Sequence, residues 1–279
     1  TLTFNYGNTS ANIIESPFNA LDIESASQYY ELTFRQPLVQ TPSQEFALGI
    51  TASHRNSDIS SEVLEEENVP LSLLSPGASE EGNTRVSALR FFQEWVSRNS
   101  QEVFALRSQF SLGTSALNAT VNGSAPDSRF FAWRGQGQWL RLLAPDSLLL
   151  IRGNIQLAST TLLSAEQFGL GGINSVRGYR QDFLLRDNGA LASVELQLPI
   201  LRVSEWNGLL QFTPFVDVGT TWNNSSNRDE NDTDTLAAVG FGLRWRQGNN
   251  FTAAVEWGIP LISVDTQGDS LQENGVYFS

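Results

Sequence analysis

Val176-Arg177-Gly178-Tyr179 is where this chain's side chains could do chemistry. It sits inside FGLGGINSVRGYRQDFLLRDNG, residues 168–189, a long glycine-rich segment between two strand-like runs. A guanidinium beside a flexible glycine can form a bidentate, charge-assisted pair with a carboxylate. Other chemistries have less to stand on. His54 is the only histidine, so Ser-His-Asp hydrolysis would have to use it, and no nucleophile elbow is present. Gly169-Leu-Gly-Gly lacks the βαβ setting of a dinucleotide fingerprint. Glu62, Glu65, Glu66 and Glu67 read as a solvated acidic loop. Asp229, Glu230, Asp232 and Asp234 lack EF-hand spacing and read the same way. With no cysteine there is no thiolate metal site. The expectation is a protein that is not an enzyme and has no cofactor and no metal.

The chain has 279 residues and a net charge of −13. That charge argues against a nucleic-acid partner, because phosphate binding needs a Lys/Arg surplus. No run of eighteen apolar residues offers a transmembrane helix. Period-2 alternation recurs instead. Ala192, Val194, Leu196, Leu198 and Ile200 alternate with a mostly polar set. So do Phe104, Leu106, Phe110 and Leu112, and Ala237, Val239, Phe241, Leu243 and Trp245. The pattern predicts about twelve strands and no helix, near residues 2–6, 28–36, 45–54, 84–96, 101–113, 128–143, 147–158, 190–201, 208–222, 235–247, 250–261 and 274–279.

Alternation alone also fits a soluble sandwich or barrel. Two features favour a membrane barrel. Many strands run to membrane-spanning length. Short turns (37–44, 97–100, 144–146, 202–207, 248–249) also alternate without a break with long loops (7–27, 55–83, 114–127, 159–189, 223–234, 262–273), which is the layout of such barrels. Arg90, Glu94, Arg107, Arg134, Arg152, Glu195, Asp217, Arg244, Arg246 and Glu256 share the polar face, more charge than a dry core accepts and what a wide wet lumen tolerates. Trp95, Trp133, Trp139, Trp222 and Trp245 lie near strand ends on the other face, as an interfacial girdle would. The N-x-S/T sequons at Asn8, Asn118, Asn122, Asn224, Asn231 and Asn250 mark only polar loops and turns.

FGLGGINSVRGY, residues 168–179, resembles the sixth-outer-loop motif of the POTRA-bearing outer-membrane assembly and translocation superfamily. RQDFLLRDNG, residues 180–189, leading into VELQLP at 194–199, is similar to the two-partner secretion transporters (TpsB, haemolysin-activator type). The family barrel has sixteen strands, with the motif loop between the eleventh and twelfth. The motif here falls between the seventh and eighth of the twelve strands read. The resemblance therefore implies that residues 1–279 are one transmembrane β-barrel domain, an all-β antiparallel fold. They would supply about twelve C-terminal strands, with the first four and the POTRA domains outside the chain and a last strand continuing past Ser279. The family's F-x-D-x-G element is matched by Phe215-Val216-Asp217-Val218-Gly219. Period 2 puts Phe215, Asp217 and Gly219 on the lumenal face. The resemblance implies that the loop folds into the lumen and that Arg177 pairs with Asp217. Gly178 and Gly219 would let the loop approach the wall without a Cβ clash. Such a pair would act as a latch more than as a source of net stability.

By the same resemblance the expected function is an outer-membrane pore that passes an unfolded exoprotein from periplasm to cell surface. Its partners would be that secreted exoprotein (TpsA type) and outer-membrane lipid and lipopolysaccharide, around a monomeric barrel. Three alternatives stay open. A BamA-type insertase shares the Arg177 motif and would carry more POTRA domains. A passive diffusion porin would conduct independently of the loop. A soluble ligand-binding β protein would purify without detergent.

Overall fold

The computed structural model of this chain describes residues 1–12, 21–224, 233–248, 250–264 and 270–279. Among the described residues fifteen strands follow one another: β1 (Leu2–Asn12), β2 (Ile23–Gln40), β3 (Gln44–Ser61), β4 (Asn83–Arg98), β5 (Glu102–Thr114), β6 (Phe131–Ala144), β7 (Ser147–Ala158), β8 (Phe168–Leu170), β9 (Leu184–Arg186), β10 (Asn188–Val203), β11 (Gly208–Phe212), β12 (Phe215–Trp222), β13 (Thr233–Gln247), β14 (Phe251–Pro260) and β15 (Val276–Phe278). Thirteen of them form one antiparallel sheet in which neighbours in sequence are neighbours in space. β11 and β12 are two halves of one wall strand, both paired with β10 and β13. Counted as one, they bring the wall to the twelve strands read from the alternation. β8 and β9 pair only with each other, inside the long loop. Among the described residues no helix is long and apolar enough to cross a membrane, which says nothing of crossing by strands.

The pleat explains the two faces. On β12 Phe215, Asp217 and Gly219 are buried, while Val216 and Val218 are exposed. On β4 Leu89, Phe91 and Trp95 are exposed; Val86, Ala88 and Phe92 are buried. Exposed Phe4, Phe34, Ile50, Leu112, Phe131, Val194, Leu243 and Val255 continue the outer apolar surface across the wall. This is the surface that lipid demands and that a soluble fold would hide. The inner face carries ion pairs: Glu94 meets Arg35 at 2.8 Å and Arg107 at 2.6 Å.

The sequence reading needs correction at the loops. β2 and β3 each run eighteen residues, and their hairpins continue far into what reads as loop at 7–27 and 55–83. A five-residue helix, α1 (Glu62–Glu66), follows β3. The Ser61 hydroxyl caps it by accepting the Leu64 N–H at 3.2 Å. Glu62, Glu65, Glu66 and Glu67 lie exposed on or just after this helix. His54 lies within β3, not at its end, and is half-buried, with Nδ1 2.8 Å from the Ser87 hydroxyl. The expected strand 208–222 breaks at Thr213-Pro214, where Pro214 has no N–H to give the ladder. Thr213 keeps the pairing by exchanging bonds with Gly242 at 2.9 and 3.0 Å. Asp229, Glu230, Asp232 and the sequon at Asn231 lie outside the described residues.

The segment 159–187 between β7 and β10 runs across the inner face. Its root packs Leu162 and Leu163 against Val86, Ala88, Phe130 and Ala132. Its far part packs Phe168, Leu170, Val176, Tyr179 and Leu184 against Leu236 and Ala238 of β13. These two clusters are the apolar core, and both are built by the loop filling the interior.

Candidate functional site

At the tip of this loop the side chains alternate like a short strand. Val176 is fully buried in the apolar cluster on β13. Arg177 turns the other way, into a row of acids on β10, β12 and β14, and is 1% exposed. Gly178 takes φ of 100°, a conformation that an L side chain rarely adopts. Its chain lies so close to the wall that a Cβ on Gly258 would fall 2.4 Å from the Gly178 nitrogen. Tyr179 sends its hydroxyl to within 2.9 Å of the carbonyl oxygens of both Ala237 and Ile262.

The wall's register builds the receiving row. Glu195 of β10 is opposite Phe215 of β12, Phe215 is opposite Gly240 of β13, and Gly240 is opposite Gly258 of β14. Asp217 lies two residues along on one side, opposite Ser193, and Glu256 two residues along on the other, opposite Gly242. Three carboxylates on three strands therefore converge on a floor of glycines and one phenyl ring. Any side chain at Gly240 would strike the Phe215 ring, 2.3 Å from an added Cβ.

Arg177 uses its whole fork there. Its Nε and Nη2 donate to the two oxygens of Asp217 at 2.8 and 3.0 Å. Its Nη1 donates to Glu195 at 2.7 Å and to Glu256 at 3.0 Å. Its backbone N–H donates to Asp217 at 3.2 Å. Its Cζ stands 3.4 Å from the centre of the Phe215 ring. The Ser193 hydroxyl donates to Asp217 at 2.6 Å, and the Gln197 amide to Glu195 at 3.0 Å. A second cation, Arg244, lies 3.7 Å from Glu256 and 3.9 Å from Glu195. Burial works against the Arg177 charge. The hydrogen bonds and charge of Asp217, with those of Glu195 and Glu256, more than reverse that and raise its pKa, so it stays a cation.

Phe215, Asp217 and Gly219 each meet the loop, in three different ways. Phe215 stacks on the guanidinium and Asp217 pairs with it. Gly219 makes room for Leu170 of β8, whose side chain would lie 2.4 Å from an added Cβ. The glycine that faces the loop tip is Gly258, not Gly219. Sequence reasoning placed Glu195 and Glu256 on the inner face without making them partners, and it missed Ser193, Gly258 and Tyr277. The Tyr277 hydroxyl accepts the Gly178 N–H at 3.0 Å and donates to the Tyr179 carbonyl.

A second contact fixes the loop on the opposite side of the interior. Residues Ser164–Glu166 form a 3-10 turn. Glu166 makes a bidentate pair with Arg90 of β4, at 2.6 and 3.0 Å. Gln156 donates to the Glu166 carbonyl at 2.9 Å, and Arg55 to the Ala165 carbonyl at 3.0 Å. Arrangements of this kind hold charge and position chain. Among the described residues no group of three or more His, Cys, Asp or Glu is set to hold a metal ion.

Comparison with known proteins gives the same fold and a family. Residues 1–245 match the family model described as haemolysin secretion/activation protein ShlB/FhaC/HecB. The outer membrane transporter CdiB of Escherichia coli O6:K15:H31 (strain 536) is 27% identical over 146 residues, which is 51% of this chain and 24% of that protein. The solved structure of CdiB from Escherichia coli superposes with a TM-score of 0.74 at 20% identity. BamA from Haemophilus ducreyi lacking POTRA domains 1–3 superposes with a TM-score of 0.58 at 13% identity, covering 99% of this chain and 61% of that one. The chain covers 99% of its own length but 48% of the Escherichia coli CdiB structure, so it spans about half of that relative.

Proposed function

This chain belongs to the ShlB/FhaC/HecB family of haemolysin secretion/activation proteins, and on that premise we propose that it forms the pore through which an unfolded exoprotein passes from periplasm to cell surface. It is an outer-membrane β-barrel protein like the transporters that it resembles. The observation that carries the reading is the family match over residues 1–245. The loop gives it a mechanism. A segment docked across the interior has to shift before a polypeptide can thread it. Arg177, seated among Asp217, Glu195 and Glu256, is the contact that would have to open. We read Val176, Arg177, Gly178 and Tyr179 with Phe215, Asp217 and Gly219 as a latch. Residues 1–279 then act as one barrel domain, monomeric in lipid and lipopolysaccharide, with a secreted exoprotein as its partner. Folding of the cargo outside would bias its movement outward, since the barrel itself has no nucleotide to spend.

The test is secretion of the cognate exoprotein by an Asp217→Ala variant whose barrel still folds, judged by heat-modifiable gel mobility. A carboxylate removed from a buried pair leaves Arg177 without its fork partner and shifts the docked population by several kcal/mol. Secretion is expected to fall at least about tenfold. Wild-type secretion from a folded variant would sink the latch. A passive porin would show unchanged transport of small solutes in the same variant and no dependence on an exoprotein.

A further inference from the structure

The loop's two anchors differ in kind. Arg177 and Asp217 are 1% and 0% exposed. Arg90 and Glu166 are 17% and 10% exposed and border a cavity of about 530 Å³ on the inner face. Arg55 and Arg134 line the same cavity. Among the described residues, neither has a carboxylate within ion-pair distance. Arg55 donates to the Ala165 carbonyl, and Arg134 to the side-chain oxygen of Gln156. The wall also brings Glu31 and Glu94 to this cavity, but Glu94 is taken by Arg35 and Arg107, and the carboxylate paired with one of these three guanidiniums, Glu166 on Arg90, comes from the movable loop. Thr3, Asn5, Thr33 and Gln109 border the same space with neutral donors and acceptors, which suit the backbone of an extended peptide.

We propose that Arg55, Arg90 and Arg134 form a carboxylate-binding site in the pore, that Glu166 of the loop occupies it at rest, and that an acidic segment of a passing polypeptide takes the place of Glu166. The exchange is isoelectric at Arg90: one carboxylate leaves as another arrives, so no buried charge is stranded. It also gains contacts, because Arg55 and Arg134 have donors to spare for a second acidic side chain. Glu166 is therefore an internal competitor. Displacing it frees the near arm of the loop while the buried tip is still seated, which gives release an order. The proposal deepens the pore reading above and rests on it only for the origin of the acidic segment, since binding can be measured without secretion.

The probe is a hexaglutamate peptide carrying an uncharged dye, titrated by fluorescence anisotropy into the full-length protein in detergent, with hexalysine as the control. The expected pattern has opposite signs. Glu166→Gln removes the competitor and tightens hexaglutamate binding by roughly tenfold, whereas Arg55→Gln with Arg134→Gln weakens it by roughly tenfold. Arg55→Lys with Arg134→Lys keeps the charge and recovers most of the affinity. Heat-modifiable mobility checks each barrel. Equal affinity in wild type, Glu166→Gln and the double Gln variant overturns the site, as does binding of hexalysine as tight as that of hexaglutamate. Altered secretion with unaltered peptide binding would overturn this site and leave the pore reading standing.

Discussion

Arg177 shows what a single buried charge can demand of its surroundings. One guanidinium faces three carboxylates, with Arg244 supplying a second, more distant cation. Such a cluster is self-consistent only while all members are present. Arg177→Met leaves the three acids buried with only Arg244 near two of them. We expect it to cost about 3–5 kcal/mol, the usual cost of breaking a buried pair. Adding Asp217→Asn to Arg177→Met is expected to restore part of that loss, because it removes a stranded charge. Urea unfolding in detergent, followed by tryptophan fluorescence, gives the double-mutant cycle; strict additivity would mean that the two side chains do not interact. Arg177 and Asp217 are legible in the sequence because each lies in a short motif of fixed spacing. Glu195 and Glu256 are not, although alternation puts both on the inner face. Their depth in the wall depends on the register of β10 against β12 and of β13 against β14, and period 2 says nothing about register.

The loop is held as an element, at both ends and along its middle, and this governs how it can move. At its outgoing stem the buried carboxylate of Asp187 accepts the Leu162 N–H at 2.8 Å and the Asn224 N–H at 2.9 Å. The stem is therefore tied to itself and to the rim. At the tip the fit is steric as well as ionic. Gly258→Ala is expected to unseat the tip without touching a charge, because its Cβ would lie 2.4 Å from the Gly178 nitrogen and 2.6 Å from the Arg177 carbonyl carbon, both backbone atoms that cannot rotate away. Single-channel recording in planar bilayers checks this: the variant should spend more time in open states than wild type, whereas Gly153→Ala, with only a carbonyl at 3.7 Å, should behave as wild type. Equal behaviour of the two variants would show that the glycine contact does not seat the loop. The strands themselves were legible over their apolar middles. Their ends were not: Asn8–Asn12, Ser25–Ser27 and Arg55–Ser61 continue the ladders with mostly polar residues on both faces. Nothing there alternates, because beyond the lipid neither face must be apolar. Helix α1 escaped for a related reason, since five residues, none of them buried, hold too little of a 3.6-residue period to be seen.

For the whole molecule, the charges of the inner face are sorted. Arg35, Arg55, Arg90, Arg107, Arg134 and Arg152 outnumber Glu31, Glu45 and Glu94 on β2 to β7, whereas Glu195, Asp217 and Glu256 outnumber Arg244 and Arg246 on β10 to β14. The loop crosses between the two regions and offers each its opposite, Glu166 to the basic side and Arg177 to the acidic side. It is a strut whose ends have unlike exposure, and ionic strength should tell the ends apart. Raising salt from about 0.1 M to about 1 M shortens the screening length from about 10 Å to about 3 Å, and this weakens exposed pairs far more than buried ones. Hydrogen exchange has a reporter at each end. The Glu166 N–H is held by the Leu163 carbonyl within the 3-10 turn, and the Gly178 N–H by the Tyr277 hydroxyl. In high salt, exchange should rise several-fold in peptides covering residues 164–167 and stay unchanged in those covering 175–179. Equal acceleration at both ends would mean that the loop leaves as one rigid body. Acceleration at the tip alone would mean that the buried cluster is the weaker anchor, and release would then begin at Arg177.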